Sequence, residues 1–155
     1  EKKHVHCDAD DLLKNKTVVL FSVSGAWVPP LSHKKLLDWD NAYPQFAERN
    51  VDEIYCVSTN GSFVLDAWRD CHGIQNVKMM SDGNGDLCRL MQMLREDRDI
   101  CLGERAEPFV VLCVDTQIIC KFTEPPREHN THGAVYGQTH PSVLLNWIDN
   151  GGTLP

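Results

Sequence analysis

The stretch TVVLFSVSGAWVPPLS, residues 17–32, decides the fold of this chain. Its apolar first part, Thr17–Val23, predicts a buried β-strand, and the Gly- and Pro-containing part that follows predicts a short loop. Ser32 is a suitable N-cap for the helix predicted after the loop. Many α/β enzymes place a nucleophile where a strand turns into a helix in this way, but the residue at the expected position here is Leu31.

The rest of the chain predicts strands and helices in alternation. In order, the apolar pattern predicts a helix over 32–49, a strand over 51–57, a helix over 61–71, a strand over 77–80, a helix over 87–94, two hairpin strands over 109–114 and 118–122, and a helix over 141–149. We expect Pro44 to kink or divide the first helix. The second helix carries one apolar stripe, made of Phe63, Val64, Ala67 and Trp68.

The element order predicts the fold class. A βαβ half followed by a ββα half is the thioredoxin-type arrangement, in which helices cover both faces of a mixed sheet. We therefore predict an α/β, thioredoxin-like fold with a central mixed β-sheet flanked by helices. A single domain is expected over residues 1–155, with residues 1–16 as a partly ordered lead-in.

The composition excludes some classes of partner. The chain has 155 residues, of which 42% are hydrophobic and 24% charged, and a formal net charge of −7. A negative charge disfavours binding to a nucleic-acid backbone or an anionic membrane, and no apolar run approaches the roughly 20 residues of a membrane-spanning helix. We expect no nucleic-acid partner, no membrane partner and no cofactor.

The seven cysteines predict a reducing environment. Their number is odd, none are spaced C-x-x-C, and Cys56, Cys113 and Cys120 lie in strand-like apolar runs. This pattern is typical of buried reduced thiols rather than of a disulfide framework. We therefore expect an intracellular location, cytoplasmic or organellar.

Several strings in a fixed order carry a family resemblance. They are VDEIYCVSTN (51–60), FVLDAW (63–68), MMSDGNG (79–85), LGER (102–105) and EHN (128–130). Across residues 17–150 they resemble the peroxiredoxin family, specifically its atypical, peroxiredoxin-5-like (type II, redoxin) branch. EHN and the last helix are more similar to the antioxidant proteins of apicomplexan parasites than to animal or plant members.

The resemblance implies a catalytic loop whose reactive residues are lost. In that family a cysteine thiolate attacks a hydroperoxide and becomes a sulfenic acid. The family motif P-x-x-x-T-x-x-C falls on residues 24–31, so that its Pro, Thr and Cys correspond to Ser24, Val28 and Leu31. The catalytic arginine corresponds to Pro108. Leu31 has no lone pair, Val28 cannot form a hydrogen bond, and Pro108 offers neither charge nor a backbone N–H.

These departures favour a peroxiredoxin-like pseudoenzyme that serves as a protein-binding or structural subunit, for example in a larger assembly. Trp27, Val28, Pro29, Pro30 and Leu31 would form an apolar patch at the former active site, and such patches often mark protein contacts. The same rim commonly forms the dimer contact of the family. The expected partner is therefore another protein or a second copy of the chain, and Leu31 and Pro108 should face each other across the old pocket.

A thiol-based alternative stays open. A weak thiol peroxidase or redox sensor would use Cys71 or Cys101 in place of the lost cysteine. Cys71 lies at the predicted C-terminus of a helix beside Asp70, where the helix dipole and the carboxylate both disfavour a reactive thiolate. Cys101 begins a loop, and its neighbours in sequence form no peroxide pocket.

Metal binding is a further alternative. His4, His6 and Cys7 lie close together in the acidic lead-in, and imidazole and thiolate groups bind zinc or copper. Their spacing matches no established structural zinc pattern, so a solvated terminal segment is favoured.

Overall fold

A computed structural model describes residues 4–129 and 135–152. Its helices are α1 (Ala9–Leu13), α2 (Ser32–Ala47), α3 (Ser62–Cys71), α4 (Asp86–Leu90) and α5 (Pro141–Asp149). Its strands are β1 (Thr17–Ser22), β2 (Glu53–Ser58), β3 (Lys78–Ser81), β4 (Leu94–Asp97), β5 (Gly103–Ala106), β6 (Phe109–Val114) and β7 (Gln117–Thr123). None of the helices in these two ranges is long and apolar enough to cross a membrane.

Five strands form one mixed sheet in the order β3-β2-β1-β6-β7. β1, β2 and β3 run parallel, whereas β6 pairs antiparallel with both β1 and β7. The predicted α/β fold with a central mixed sheet is therefore confirmed. Because β1 to β3 are parallel, the loops that follow them lie at one edge of the sheet, the edge where open α/β sheets bind their ligands.

Hydrophobic cores lie on both faces of the sheet. On one face Trp39 of α2 stacks between Phe21 of β1 and Phe46, with ring centroids 5.1 and 5.3 Å apart. All three side chains are fully buried. On the other face Leu13 of α1 and Cys88 of α4 pack with the opposite side chains of β1, β2 and β6. The predicted lead-in thus contributes α1 to the second core.

α2 differs from its prediction at Pro44 and at its N-cap. The helix continues through Pro44, so the expected division is wrong. Pro44 removes the N–H that would bond to the carbonyl of Asp40, and that carbonyl accepts from the side chain of Asn76 at 3.5 Å. Ser32 is not the N-cap either. Leu31 occupies that position without a side-chain cap, and Ser32 is the first, buried residue of the helix.

The predicted apolar stripe of α3 is wrong at three of its four positions. Phe63 and Val64 are 77% and 42% exposed, while Leu65 and Trp68 are fully buried. Ala67 is also exposed. The apolar residues of this short helix span one wide arc of its surface, so periodicity alone does not show which part of that arc is buried, and packing on the sheet selects Leu65 and Trp68.

The segment after β3 contains a hairpin-like pair that the pattern did not predict. α4 ends at Leu90, because Gln92 adopts a left-handed φ of 57° that stops the helix. β4 and β5 then pair antiparallel as a separate two-stranded sheet. A 3₁₀ turn over Arg98–Ile100 connects them.

Candidate functional site

The structure brings together the four residues that the sequence aligned with the catalytic positions of the family. Ser24, Val28, Leu31 and Pro108 all line one pocket of about 50 Å³ at the edge of the sheet where β1 ends. We call it the loop pocket. Leu31 and Pro108, which the sequence placed opposite each other, contribute to the same cavity although 77 positions separate them (108 − 31).

The backbone of the loop is held by its neighbours. Asn60, which follows β2, accepts a hydrogen bond from the Ala26 N–H at 2.8 Å and another from the Ser58 hydroxyl at 2.9 Å. A Cβ on Gly25 would lie 2.9 Å from a methyl group of Val28, so a side chain at this position would force the loop to rearrange. The loop therefore delivers Leu31 to the N-terminus of α2, where the helix dipole would favour a thiolate.

Ser22 holds the other wall of the loop pocket. Its hydroxyl donates to the carbonyl of Glu107 and accepts from the N–H of Phe109 at 2.9 Å. Ser22 is fully buried at the end of β1. These two bonds span Pro108 and fix its ring at the pocket wall, although Pro108 itself donates no hydrogen bond.

Charged residues that the sequence reasoning missed also line the loop pocket. They are Lys35, Arg95, Glu124 and Arg127. Lys35 lies one helical turn after Leu31, so helical spacing offered a signal for it. Nothing in the sequence links the other three to the loop, because they come from β4 and from the segment after β7.

The two arginines are anchored by the buried Asp97 and the half-buried Asp99. Arg95 Nε bonds to both carboxylate oxygens of Asp97, at 2.9 and 3.0 Å. Arg127 pairs with Asp99 at 2.6 Å and with Asp97 at 3.2 Å. The hydrogen bond to Asp99 raises the pKa of Arg127, despite partial desolvation. Both guanidinium groups are therefore held in fixed positions beside the pocket.

Lys35 and Glu124 are buried ionisable groups in the same cavity. Lys35 is 5% exposed, and burial lowers its pKa to about 8, although the nearby Cys56 and Glu124 act in the opposite direction. Burial raises the pKa of Glu124, but hydrogen bonds from the Thr139 backbone and side chain and from Gly137 outweigh it, so the net pKa is lowered. Glu124 is therefore a carboxylate at neutral pH.

Comparison with known proteins identifies the family. The model of the family described as Redoxin matches residues 2–136. The chain belongs to the redoxin family of peroxiredoxins. It is 33% identical over 139 residues to a peroxiredoxin of Rhizobium etli, covering 90% of this chain and 78% of that protein. It is also 33% identical over 146 residues to the hybrid peroxiredoxin hyPrx5 of Haemophilus influenzae, covering 94% of this chain and 59% of that protein.

Solved structures agree with this assignment. This redoxin superposes on the Plasmodium falciparum antioxidant protein, a 1-Cys peroxiredoxin, with a TM-score of 0.87 and 28% identity. The match covers 94% of this chain and 85% of that one. The resemblance drawn from the sequence strings is thereby confirmed. The last residue of the EHN string, Asn130, lies outside the described residues.

The predicted apolar patch of this redoxin, which we call the rim patch, comprises residues 27–31. The Trp27 side chain is 54% exposed, and Pro29 and Pro30 are exposed, whereas Val28 and Leu31 are half-buried and line the loop pocket. Trp27 has a left-handed φ of 65°. The rim patch thus has an outward side and a side that forms the pocket wall.

The redoxin's thiols lie outside the loop pocket. All seven are free, and Cys7, Cys71 and Cys101 are exposed. Burial raises the pKa of Cys56 to about 12 and that of Cys113 to about 11. The two candidate redox thiols, Cys71 and Cys101, are therefore accessible but not assembled with the family's catalytic loop.

The lead-in residues proposed for metal binding are not brought together. His4 contacts Asp66 at 3.3 Å and packs on the ring of Phe63. His6 and Cys7 are exposed. Over residues 4–129 and 135–152, the structure contains no group of three or more His, Cys, Asp or Glu side chains positioned to hold a metal ion.

Proposed function

We propose that this redoxin is a pseudoenzyme that does not reduce hydroperoxides and acts as a protein-binding or structural subunit. One observation carries the proposal. The cavity in which active relatives would bind a peroxide is lined here by Val28, Leu31 and Pro108, and by none of the seven cysteines.

The chemistry of peroxide reduction supports this conclusion. A thiolate must reach the peroxide oxygen, and neighbouring donors must stabilise the charge that leaves with the departing oxygen. Leu31 occupies the N-terminus of α2, and a leucine side chain supplies no nucleophile. The hydroxyl and guanidinium expected at positions 28 and 108 are replaced by groups without a side-chain donor.

Peroxide kinetics test the loss of catalysis. Rapid mixing of the reduced protein with hydrogen peroxide or cumene hydroperoxide should show no fast thiol-oxidation phase, and a sulfenic-acid trap should label no cysteine stoichiometrically. A fast phase, or full labelling of a single cysteine, would contradict the proposal. Labelling confined to Cys71 or Cys101 would establish the thiol-based alternative, and C71S and C101S variants would assign the site.

The rim patch supports the binding role. An exposed indole in a left-handed backbone conformation is unfavourable for a residue with a Cβ, at roughly 1 kcal/mol, and strained positions of this kind cluster at functional sites. Trp27, Pro29 and Pro30 together present an apolar surface to solvent. We propose that this surface contacts a protein partner or a second copy of the chain.

A matched pair of variants tests the surface. W27S removes the exposed indole, and F63S removes an aromatic ring on α3 that is even more exposed. Sedimentation velocity over a range of concentrations, together with quantitative capture from an extract of the source cells, should show weaker association for W27S and unchanged association for F63S. Equal association by W27S and the unmodified protein would overturn the assignment of the rim patch.

We also propose an intracellular compartment, cytoplasmic or organellar. Seven unpaired thiols support a reducing environment. A relative in Arabidopsis thaliana, 32% identical over 107 residues, is a chloroplastic peroxiredoxin. Imaging of the tagged protein in its source cell tests this proposal, and a secreted protein would contradict it.

A further inference from the structure

The loop pocket contains a buried amine that the rest of the site does not use. Lys35 belongs to the first turn of α2 and is 5% exposed. Its ammonium nitrogen lies 5.7 Å from the ring centre of Tyr136. Within the described part of the chain, this nitrogen forms no hydrogen bond and no ion pair. A buried lysine of this kind has its charged form disfavoured, so a usable fraction is the neutral, nucleophilic amine at pH 7 to 8.

A buried carboxylate shares the cavity with this amine. Glu124 is 8% exposed, and one of its oxygens, Oε1, accepts from Gly137 N, Thr139 N and the Thr139 hydroxyl at 2.6–2.9 Å. The other oxygen, Oε2, is buried without a hydrogen-bond partner. Leaving a buried carboxylate oxygen unsatisfied is costly. Glu124 thus has one oxygen that holds it in place and one that is available to a proton.

The remaining walls define the ligand that fits. Val28, Leu31 and Pro108 are apolar, whereas Arg95 contributes a guanidinium. Arg95 uses only its Nε atom in its bond to Asp97, so its two terminal nitrogens make no hydrogen bond within the described ranges. A volume of about 50 Å³ holds about four water molecules. This suits a small organic acid of about five or six non-hydrogen atoms.

We propose that the loop pocket binds a small carbonyl acid covalently, with Lys35 forming a Schiff base to its aldehyde or keto carbon. The carboxylate of the ligand would pair with Arg95. This site is independent of the protein-binding role proposed above, and either can fail without the other.

The reaction balances without a further reactant. The lone pair of the neutral Lys35 nitrogen forms a bond to the carbonyl carbon, and the carbonyl π electrons move to oxygen. Glu124 Oε2 takes one of the two protons of the nitrogen and passes it to this oxygen, which gives the neutral carbinolamine. The nitrogen then loses its second proton to Glu124 Oε2, and the same carboxyl group passes it to the hydroxyl of the carbinolamine. That hydroxyl leaves as water, and the C=N bond remains. The products are one imine and one water from one amine and one carbonyl.

Reductive trapping tests the proposal on the full chain. The protein is incubated with glyoxylate and cyanoborohydride at pH 7.5, and adducts are counted by intact mass and located by peptide mapping. We expect one adduct at Lys35, formed at least about tenfold faster than at the exposed Lys34, because an ordinary lysine is almost entirely protonated at this pH. Labelling spread evenly over the lysines would overturn the proposal.

Variants and a second probe separate the parts of the proposal. K35M should lose the fast adduct, whereas K34M should keep it. E124Q should slow trapping, with its thermal melt recorded to show that it folds. Acetaldehyde is an aldehyde of similar size without a carboxylate, so we expect it to label Lys35 about tenfold more slowly than glyoxylate. Equal labelling by the two aldehydes would overturn the assignment of an acid ligand, and an unaltered adduct in K35M would overturn the assignment of Lys35.

Discussion

The substitution K35M should change the dependence of stability on pH. The groups that face the Lys35 amine are Cys56 on β2, Glu124 after β7 and the ring of Tyr136. Methionine has nearly the same length and no charge, so it can occupy the same space between these groups. The variant therefore removes a buried charge and leaves the packing largely in place.

The magnitude follows from the pKa of Lys35, which burial lowers from 10.5 to about 8. Below pH 8 both the folded and the unfolded chain carry the proton, and the folded chain bears the full cost of the buried charge. Between pH 8 and 10.5 the unfolded chain binds more protons, so the unmodified protein gains stability as the pH rises. At about 1.4 kcal/mol per pKa unit, the full cost is about 3 kcal/mol.

Urea unfolding, followed by circular dichroism between pH 7 and pH 10, measures this effect. The stability of K35M relative to the unmodified protein should fall by about 2.5 kcal/mol across this range. Other titrating groups are common to both proteins and cancel in the difference. K34M is the matched control, because Lys34 is exposed and pairs with Asp38 on the helix surface. Its difference from the unmodified protein should stay nearly constant.

If the difference in unfolding free energy between K35M and the unmodified protein stays constant from pH 7 to pH 10, the lowered pKa of Lys35 is contradicted. Such a result would mean that Lys35 keeps an ordinary pKa, either because the amine reaches solvent or because Glu124 compensates its burial. The Schiff-base proposal would then lose the neutral amine on which its rate advantage at Lys35 depends. A change of packing alone would shift the difference by the same amount at every pH, and so cannot imitate the expected slope.

Three further changes test the site and its supports. L31C places a thiol at the N-terminus of α2, so the pKa of this thiol should fall below the usual 8.5 by up to about one unit, measured by alkylation rate against pH. A thiol with the usual pKa would contradict the stabilisation of a thiolate by the dipole of α2. S22A removes both hydrogen bonds that span Pro108 and should lower the free energy of unfolding by about 2 kcal/mol in urea titrations. An unchanged free energy of unfolding would show that these two hydrogen bonds are dispensable. D40A removes a buried carboxylate that accepts from the N–H groups of residues 75, 76 and 77 and should cost about 3 kcal/mol by the same method; D40N should recover part of this loss.

The pattern of apolar and turn residues along the chain predicted most of the central sheet and the loop after β1. The apolar run of β1, the hairpin of β6 and β7 and the bounds of α5 all follow from nearest-neighbour preferences and short periodicities. The strings around residues 51–68 indicated the family, and the family motif predicted which four positions correspond to its catalytic residues. Those inferences need only residues that are close in sequence.

Other features depended on contacts between distant segments. The apolar face of α3 is wide, and only packing on the sheet selects Leu65 and Trp68 on that face for burial over Phe63 and Val64. α2 continues through Pro44, and the Asp40 carbonyl that the proline leaves without its helical partner is approached at 3.5 Å by the side chain of Asn76, far along the chain. Neither the buried side of α3 nor the contact of Asn76 with α2 can be predicted from helical propensity and periodicity.

The sequence alone gives the chemistry of each side chain in the loop after β1, where Val28 has no hydroxyl group and Leu31 has no thiol. Which other side chains share a cavity with these residues depends on the tertiary structure. It placed Lys35 and Glu124, separated by 89 positions (124 − 35), in one cavity with Leu31 and Pro108. The ionisation of a lysine depends on how much water and which charges surround it, and those surroundings arise only when α2, β6 and the segment after β7 pack together.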